Sequence, residues 1–367
     1  MKLFSRVDKG FLIGVILLLI FGLFIFASAA LGVLTSNEVK FYSVLESQFV
    51  FALLIGVMAL CAGMLIPFTF YEKHAFKIFI ITLVATMLVF VPGLQLFHGG
   101  AHRWIHIGSL SFQPSELLKF GSIGIVAMWC TAFSHRFKKI NVGFMPYMLL
   151  VGLISIVMLL QPDFGTLLII ILSTFTVYFV GGSTIKHIGF LVGAGFLGFI
   201  ILVSARPYMM ERIHTFFNSS HDVHGSSWQL NQSLIAIGSG GVFGRGYGQS
   251  VQKFNYLPEP IGDSIFAVLA EELGLLGVGI LFVLYGIVII RGLMIALFSE
   301  SQFGRLLVLG IIALLVSQIL LNIGSMLGLL PLTGVPLPFI SHGGTALMVL
   351  LFEIGVVLNV SRQSHFV

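Results

Sequence analysis

Charge is what this 367-residue sequence lacks most. Asp, Glu, Lys and Arg together make up 9% of it, against about 25% in soluble domains. With 57% hydrophobic residues and a mean hydropathy of +1.07, it is not built to face water. Cysteine is nearly absent, and Cys61 and Cys130 both lie inside apolar runs, which excludes a disulfide or zinc framework. No His/Cys/Asp/Glu set has zinc spacing, and no Ser-His-Asp grouping can be read. Glycines 238, 240, 241, 244, 246 and 248 suggest a phosphate cradle. However, no G-x-x-x-x-G-K-[ST] occurs, and the Rossmann pattern lacks its βαβ setting and its final Gly. The ten-residue alternating segments of a membrane barrel are missing as well.

What the sequence has is apolar length. Runs near 11–33, 47–69, 76–93, 115–133, 144–160, 164–181, 187–204, 264–291, 305–328 and 344–360 approach or exceed the roughly 20 residues that a helix needs to cross a bilayer. The expected fold is an all-α polytopic membrane protein of about ten transmembrane helices. It forms one domain over 1–367, with a large extracytoplasmic loop at about 204–262 between spans 7 and 8. Residues 11–30 read as a retained first span, because no small-residue cleavage site with a polar continuation follows them. With the N-terminus inside, twelve Lys and Arg fall on one set of connections and six on the other. The positive-inside rule then places both termini in the cytoplasm. The net charge of +5 serves orientation and is no nucleic-acid footprint, since no single face gathers it.

On this topology the elaborate connections face outward: 99–119, 204–262 and 328–345 are rich in Gly, Pro or hydroxyl residues, whereas the inner ones are short and basic. In "QPSELLK" (113–119), Pro114 suits a first helical turn and Glu116 complements the positive helix end. Glu116 and Lys119 are i,i+3 neighbours, with Lys119 about a turn inside the membrane, where an ionisable group is a functional candidate by default. A structural ion pair and a substrate-site pair fit equally well. Asp163 in "QPDFGT" reads as a helix-starting residue. Arg206, Arg212, Arg245 and Lys253 offer the 204–262 loop a cationic rim for an anionic lipid headgroup, against a flexible membrane-surface loop with amphipathic pieces. Pro331, Pro336 and Pro338 break an apolar stretch, so 328–345 re-enters and shapes a cavity wall, where Ser341, His342 and Thr345 supply hydrogen bonds.

Carboxylates concentrate at one place. Of fourteen Asp and Glu, four fall in "YLPEPIGDSIFAVLAEE" (256–272): Glu259, Asp263, Glu271 and Glu272. Asp263 sits at a helix mouth, partly dehydrated yet reachable, where desolvation makes a carboxylate a better base. Capping the span that starts near Ser264 competes with that role and is slightly favoured on these residues alone.

"HRWIHIGSLSFQPSELLK", "QPDFGT", "SGGVFGRGYGQSVQKFNYLPEPIGDSIFAVLAEELGLLG" and "TGVPLPFISHGGT" occur in this order. Together they resemble the SEDS family (shape, elongation, division and sporulation) of membrane peptidoglycan polymerases, over essentially the whole chain. "GQSVQKFNYLPEP" and the ending "GVVLNVSR" look more like the division branch (FtsW) than the elongation branch (RodA). The sequence departs from the family at "PIG" (260–262), often "AHT" there, and at His342, often Tyr. The resemblance implies a multi-pass protein of the bacterial cytoplasmic membrane that polymerises lipid II, the undecaprenyl-pyrophosphate-linked disaccharide-pentapeptide, beside a class B penicillin-binding protein. It implies Asp263 as the essential acid and Glu116 and Lys119 as the fourth-helix pair. Arg103, Arg206, Arg212 and Lys253 fall at its cationic cavity positions, and Glu259 and Ser341 join them as substrate-site candidates. Whether a divalent cation, Mg or Mn, assists pyrophosphate binding is left open. The rival readings are a lipid II flippase or other transporter and a non-catalytic scaffold for the crosslinking enzyme.

Overall fold

A computed structural model describes residues 7–34, 38–93, 95–98, 101–107, 110–205, 210 and 226–363. Its helices are α1 (Lys9–Leu34), α2 (Glu38–Glu46), α3 (Leu53–Leu65), α4 (Phe68–Met87), α5 (Pro114–Ala132), α6 (Met145–Leu160), α7 (Phe164–Val180), α8 (Ile185–Ala205), α9 (Ser226–Gly240), α10 (Ile265–Leu297), α11 (Gln302–Met326) and α12 (Gly344–Ser361). A short π-helical stretch, Ser47–Ala52, joins α2 to α3.

Eight helical segments among the described residues are long and apolar enough to cross a membrane. The ten expected runs are all helical, but two fall short of that standard. The helix α7 has 17 residues, and α5 has 19 residues with Glu116 and Lys119 in its first two turns. Helices α11 and α12 form the centre, with 78% of the most apolar stretch of each buried, whereas α8 lies at the periphery with 12%. The closest helix pairing is α3 on α12. Gly63 abuts the Phe352 carbonyl and Gly355 abuts the Leu60 carbonyl, with no room for a Cβ at either. Small residues that let backbones meet are how helices associate where lipid removes the hydrophobic drive.

Two connections differ from a plain all-helical reading. The segment before α5 forms a three-stranded antiparallel sheet of β1 (Gln95–His98), β2 (Ala101–Ile107) and β3 (Leu110–Phe112), with Ile105 opposite Phe112. The stretch 204–262, read above as loop throughout, contains the 15-residue helix α9 packed along α10.

Helix α10 is broken. Gly274 has φ 61° and ψ −159°, a region open essentially only to glycine. The break frees carbonyls, and the 241–246 loop meets them. The Glu271 carbonyl accepts from Arg245 N–H and that of Glu272 from Gly246 N–H, both at 3.0 Å, while Leu275 and Leu276 N–H donate back to Gly241 and Val242. Two of the glycines that suggested a phosphate cradle serve this interlock: a Cβ on Gly240 would collide with the Ala270 carbonyl and one on Gly244 with the Glu272 carbonyl, as one on Gly274 would with the Gly244 nitrogen. Gly274→Ala is expected to cost about 1–3 kcal/mol from backbone strain alone. It should be visible as a lowered thermal unfolding midpoint in detergent.

Candidate functional site

Asp263 closes a tight turn that precedes α10. The Glu259 carbonyl accepts from the N–H groups of Gly262 (3.0 Å) and Ser264 (3.3 Å), with Glu259 itself at φ 47°. The turn is stapled to the irregular segment before α12 by three residues. Ser341 Oγ donates to the Gly262 carbonyl at 2.7 Å and accepts from Leu337 N–H at 2.8 Å. His342 N–H donates to the Ile261 carbonyl at 2.7 Å. Asn322, fully buried on α11, divides its amide between the Asp263 carbonyl (2.8 Å) and the Val335 carbonyl (2.7 Å). The irregular segment is thus buried in protein, as non-helical backbone at this depth must be: Val335, Leu337, Phe339 and Ile340 are all buried.

The Asp263 side chain is half-buried. Gln229, at the start of α9, donates its Nε2 to Asp263 Oδ1 at 3.2 Å and to Ser264 Oγ at 3.0 Å. The N-cap of α10 is Ser264, and no side chain bonds the first turn there. The capping position weighed for Asp263 thus falls to Ser264. Capping by a carboxylate is the role of Asp163. Its Oδ1 accepts from Thr166 N–H and its Oδ2 from Gln113 Nε2, both at 3.3 Å.

Glu271 and Glu272 hold the 250–253 loop. Glu271 accepts from Ser250 Oγ at 2.5 Å and from Val251 and Gln252 N–H. Glu272 pairs with Lys253 Nζ at 2.6 Å with both side chains fully buried, and the same ammonium donates to Ser28 Oγ and the Gly248 carbonyl. All three Lys253 donors are thereby satisfied. The sequence reading put Lys253 on a cationic rim for an anionic headgroup; in the structure its ammonium is buried in this ion-pair network. Arg103 reaches the carbonyls of Gln161 and Pro162, tying β2 to the turn between α6 and α7. Arg206 and Arg212 lie outside the described residues.

Glu116 and Lys119 pair at 2.6 Å, both buried. They line a cavity of about 20 Å³ together with Gln318 of α11, Glu353 of α12, Pro336 and Ser341. Ser341 therefore faces this cavity while its hydroxyl holds the Asp263 turn. Of the candidates read from sequence, Asp263, Glu259 and Ser341 come together; Glu116 and Lys119 adjoin them through Ser341; Lys253 and Arg103 stand in other networks. Sequence reasoning missed Gln229, Asn322 and Glu353. Glu353 was findable, because a carboxylate inside the apolar run 344–360 meets the same rule that flagged Lys119. Among the described residues, no group of three or more His, Cys, Asp and Glu could hold a metal ion.

Along nearly its whole length the chain is similar to known proteins. The FtsW/RodA/SpoVE profile, described as a cell cycle protein, matches residues 9–366. Stage V sporulation protein E of Bacillus subtilis is 38% identical over 312 residues, 85% of each chain. A probable peptidoglycan glycosyltransferase FtsW of Geobacter sulfurreducens is 36% identical over 366 residues, covering 99% of this chain and 97% of that one. Among solved structures, one described as showing structural coordination of polymerization and crosslinking by a peptidoglycan synthase complex superposes with TM-score 0.80 at 26% identity, over 99% of this chain and 100% of that chain. The rod shape determining protein RodA of Thermus thermophilus gives 0.71 at 26% identity, covering 99% of both chains.

Proposed function

The chain belongs to the FtsW/RodA/SpoVE family, an integral membrane family of cell cycle proteins, and from that premise we propose that it is a peptidoglycan glycosyltransferase that polymerises lipid II. The observation that carries the reading is Asp263. It is a half-exposed carboxylate oriented by the neutral amide of Gln229 and fixed by staples from two other segments.

Asp263 takes the proton from the 4-hydroxyl of the acceptor sugar. That oxygen attacks the anomeric carbon of the donor, and the bond from this carbon to the pyrophosphate oxygen breaks. The electron pair leaves with undecaprenyl pyrophosphate. Such a leaving group calls for charge stabilisation more than for a proton, so a single carboxylate suffices, unlike the paired acids of glycoside hydrolases. Arg206 and Arg212 are the cations assigned to that task. Glu259 and Ser341 shape the turn around the base, and the Glu116–Lys119 pair supports the wall behind it. The Lys and Arg distribution supports both termini in the cytoplasm, with Asp263 on the outer face. The similarity to a complex that coordinates polymerization and crosslinking supports a class B penicillin-binding protein as partner, and the FtsW-named relatives support a place in division.

The test is glycan-strand formation from lipid II by the protein in liposomes, with and without the partner. Strands are the expected product. Lipid II translocation without strands would put the flippase reading first, and strands made only by the partner would leave a scaffold. A second expectation concerns Gln229. Hydrogen bonds to charged groups contribute about 1.5–3 kcal/mol, so Gln229→Leu should lower the polymerisation rate about 10- to 100-fold. The unfolding midpoint should fall by a few degrees at most.

A further inference from the structure

The cavity between α5, α11, α12 and the segment around Pro336 is lined by three ionisable side chains, Glu116, Lys119 and Glu353. Glu116 and Lys119 cancel one another. Glu353 is a second carboxylate, 1% exposed, and its Oε1 has no hydrogen-bond donor. A carboxylate buried without pairing is expensive, and one ammonium cannot neutralise two of them. An ionised Glu353 calls for one balancing positive charge, a proton or a cation, and the cavity volume of about 20 Å³ accommodates one water-sized species.

The walls favour a cation that is coordinated rather than one that donates. Pro336 and Pro338 bring no N–H to the lining. The Ser341 hydroxyl has given its hydrogen to the Gly262 carbonyl, so towards the cavity it can only accept. Gln318 also lines the cavity, and its amide carries an oxygen able to coordinate. Non-helical backbone between membrane helices is where carbonyl groups coordinate alkali cations. We propose that this cavity binds one sodium ion, with the Glu353 carboxylate as its charged ligand. Bound there, the ion joins α12 to the segment that carries Ser341, and through Ser341 to the turn that presents Asp263.

The experiment is thermal unfolding of the purified full-length protein in detergent, at one fixed pH and constant ionic strength, in sodium, potassium or choline chloride. A ligand held by the folded state alone raises the midpoint with concentration. Sodium should raise it by about 2–4 °C over choline and potassium by less. Glu353→Gln keeps the shape and removes the charge, and should lose the sodium response. Equal midpoints in sodium and choline overturn the proposal, since a proton on Glu353 then balances the site. A full sodium response in Glu353→Gln overturns it too, and so does potassium matching sodium. If the variant does not fold, the wild-type comparison decides alone.

Discussion

Changing Asp263 to Asn or Ala is expected to reduce glycan-strand formation about 10²- to 10⁴-fold, the usual contribution of a positioned general base. The two variants separate chemistry from architecture. Asn keeps the side-chain oxygen that accepts from Gln229, while the main-chain carbonyl held by Asn322 is untouched in either. Both proteins should therefore fold and still bind lipid II. The check is a product gel under conditions where binding is saturated, beside the unfolding midpoint of each variant. Equal strand formation by wild type and both variants would remove Asp263 from the reaction. An intermediate rate for Asn with a near-complete loss for Ala would make it a hydrogen-bonding group rather than a base.

The second large effect is on stability. Removing one partner of the Lys253–Glu272 pair leaves a fully buried ion uncompensated, which costs about 3–5 kcal/mol. Lys253→Ala and Glu272→Ala should each fail to accumulate or should unfold well below wild type. Lys253→Met combined with Glu272→Leu should recover most of the loss, because apolar replacements of a buried pair are often neutral or better. Expression as a fluorescent fusion followed by size-exclusion chromatography reads this directly. A well-folded Lys253→Ala protein that cannot polymerise would instead restore the contact with substrate that the family resemblance implies.

Much of this was legible before the structure, for a physical reason. Apolar runs and basic connections answer to the bilayer, which acts on every stretch of chain separately, so helix positions could be read from local composition. The motif order carried the family, and Asp263 with it. Partnerships across distant segments were not legible. Nothing local says that Lys253 meets Ser28 and Glu272 rather than a headgroup, or that Gln229 reaches Asp263. The break at Gly274 was hidden because Gly277 and Gly279 follow it in the same apolar run, and only the opposing loop reveals why glycine is needed at 274.

That break also bears on how the chain enters the bilayer. Residues 275–297 make a helix about 34 Å long at 1.5 Å per residue, enough by itself for a hydrocarbon core of about 30 Å. Acidic side chains at the centre of an inserting helix are penalised by about 2.5–3.5 kcal/mol for Asp. The piece bearing Glu271 and Glu272 lies on the other side of Gly274, with Asp263 beyond it. The inserting segment thus contains no carboxylate, and the acidic residues need not be recognised by the insertion machinery as part of the span. Substitutions in the Asp263 turn therefore leave integration of the following helix unaffected.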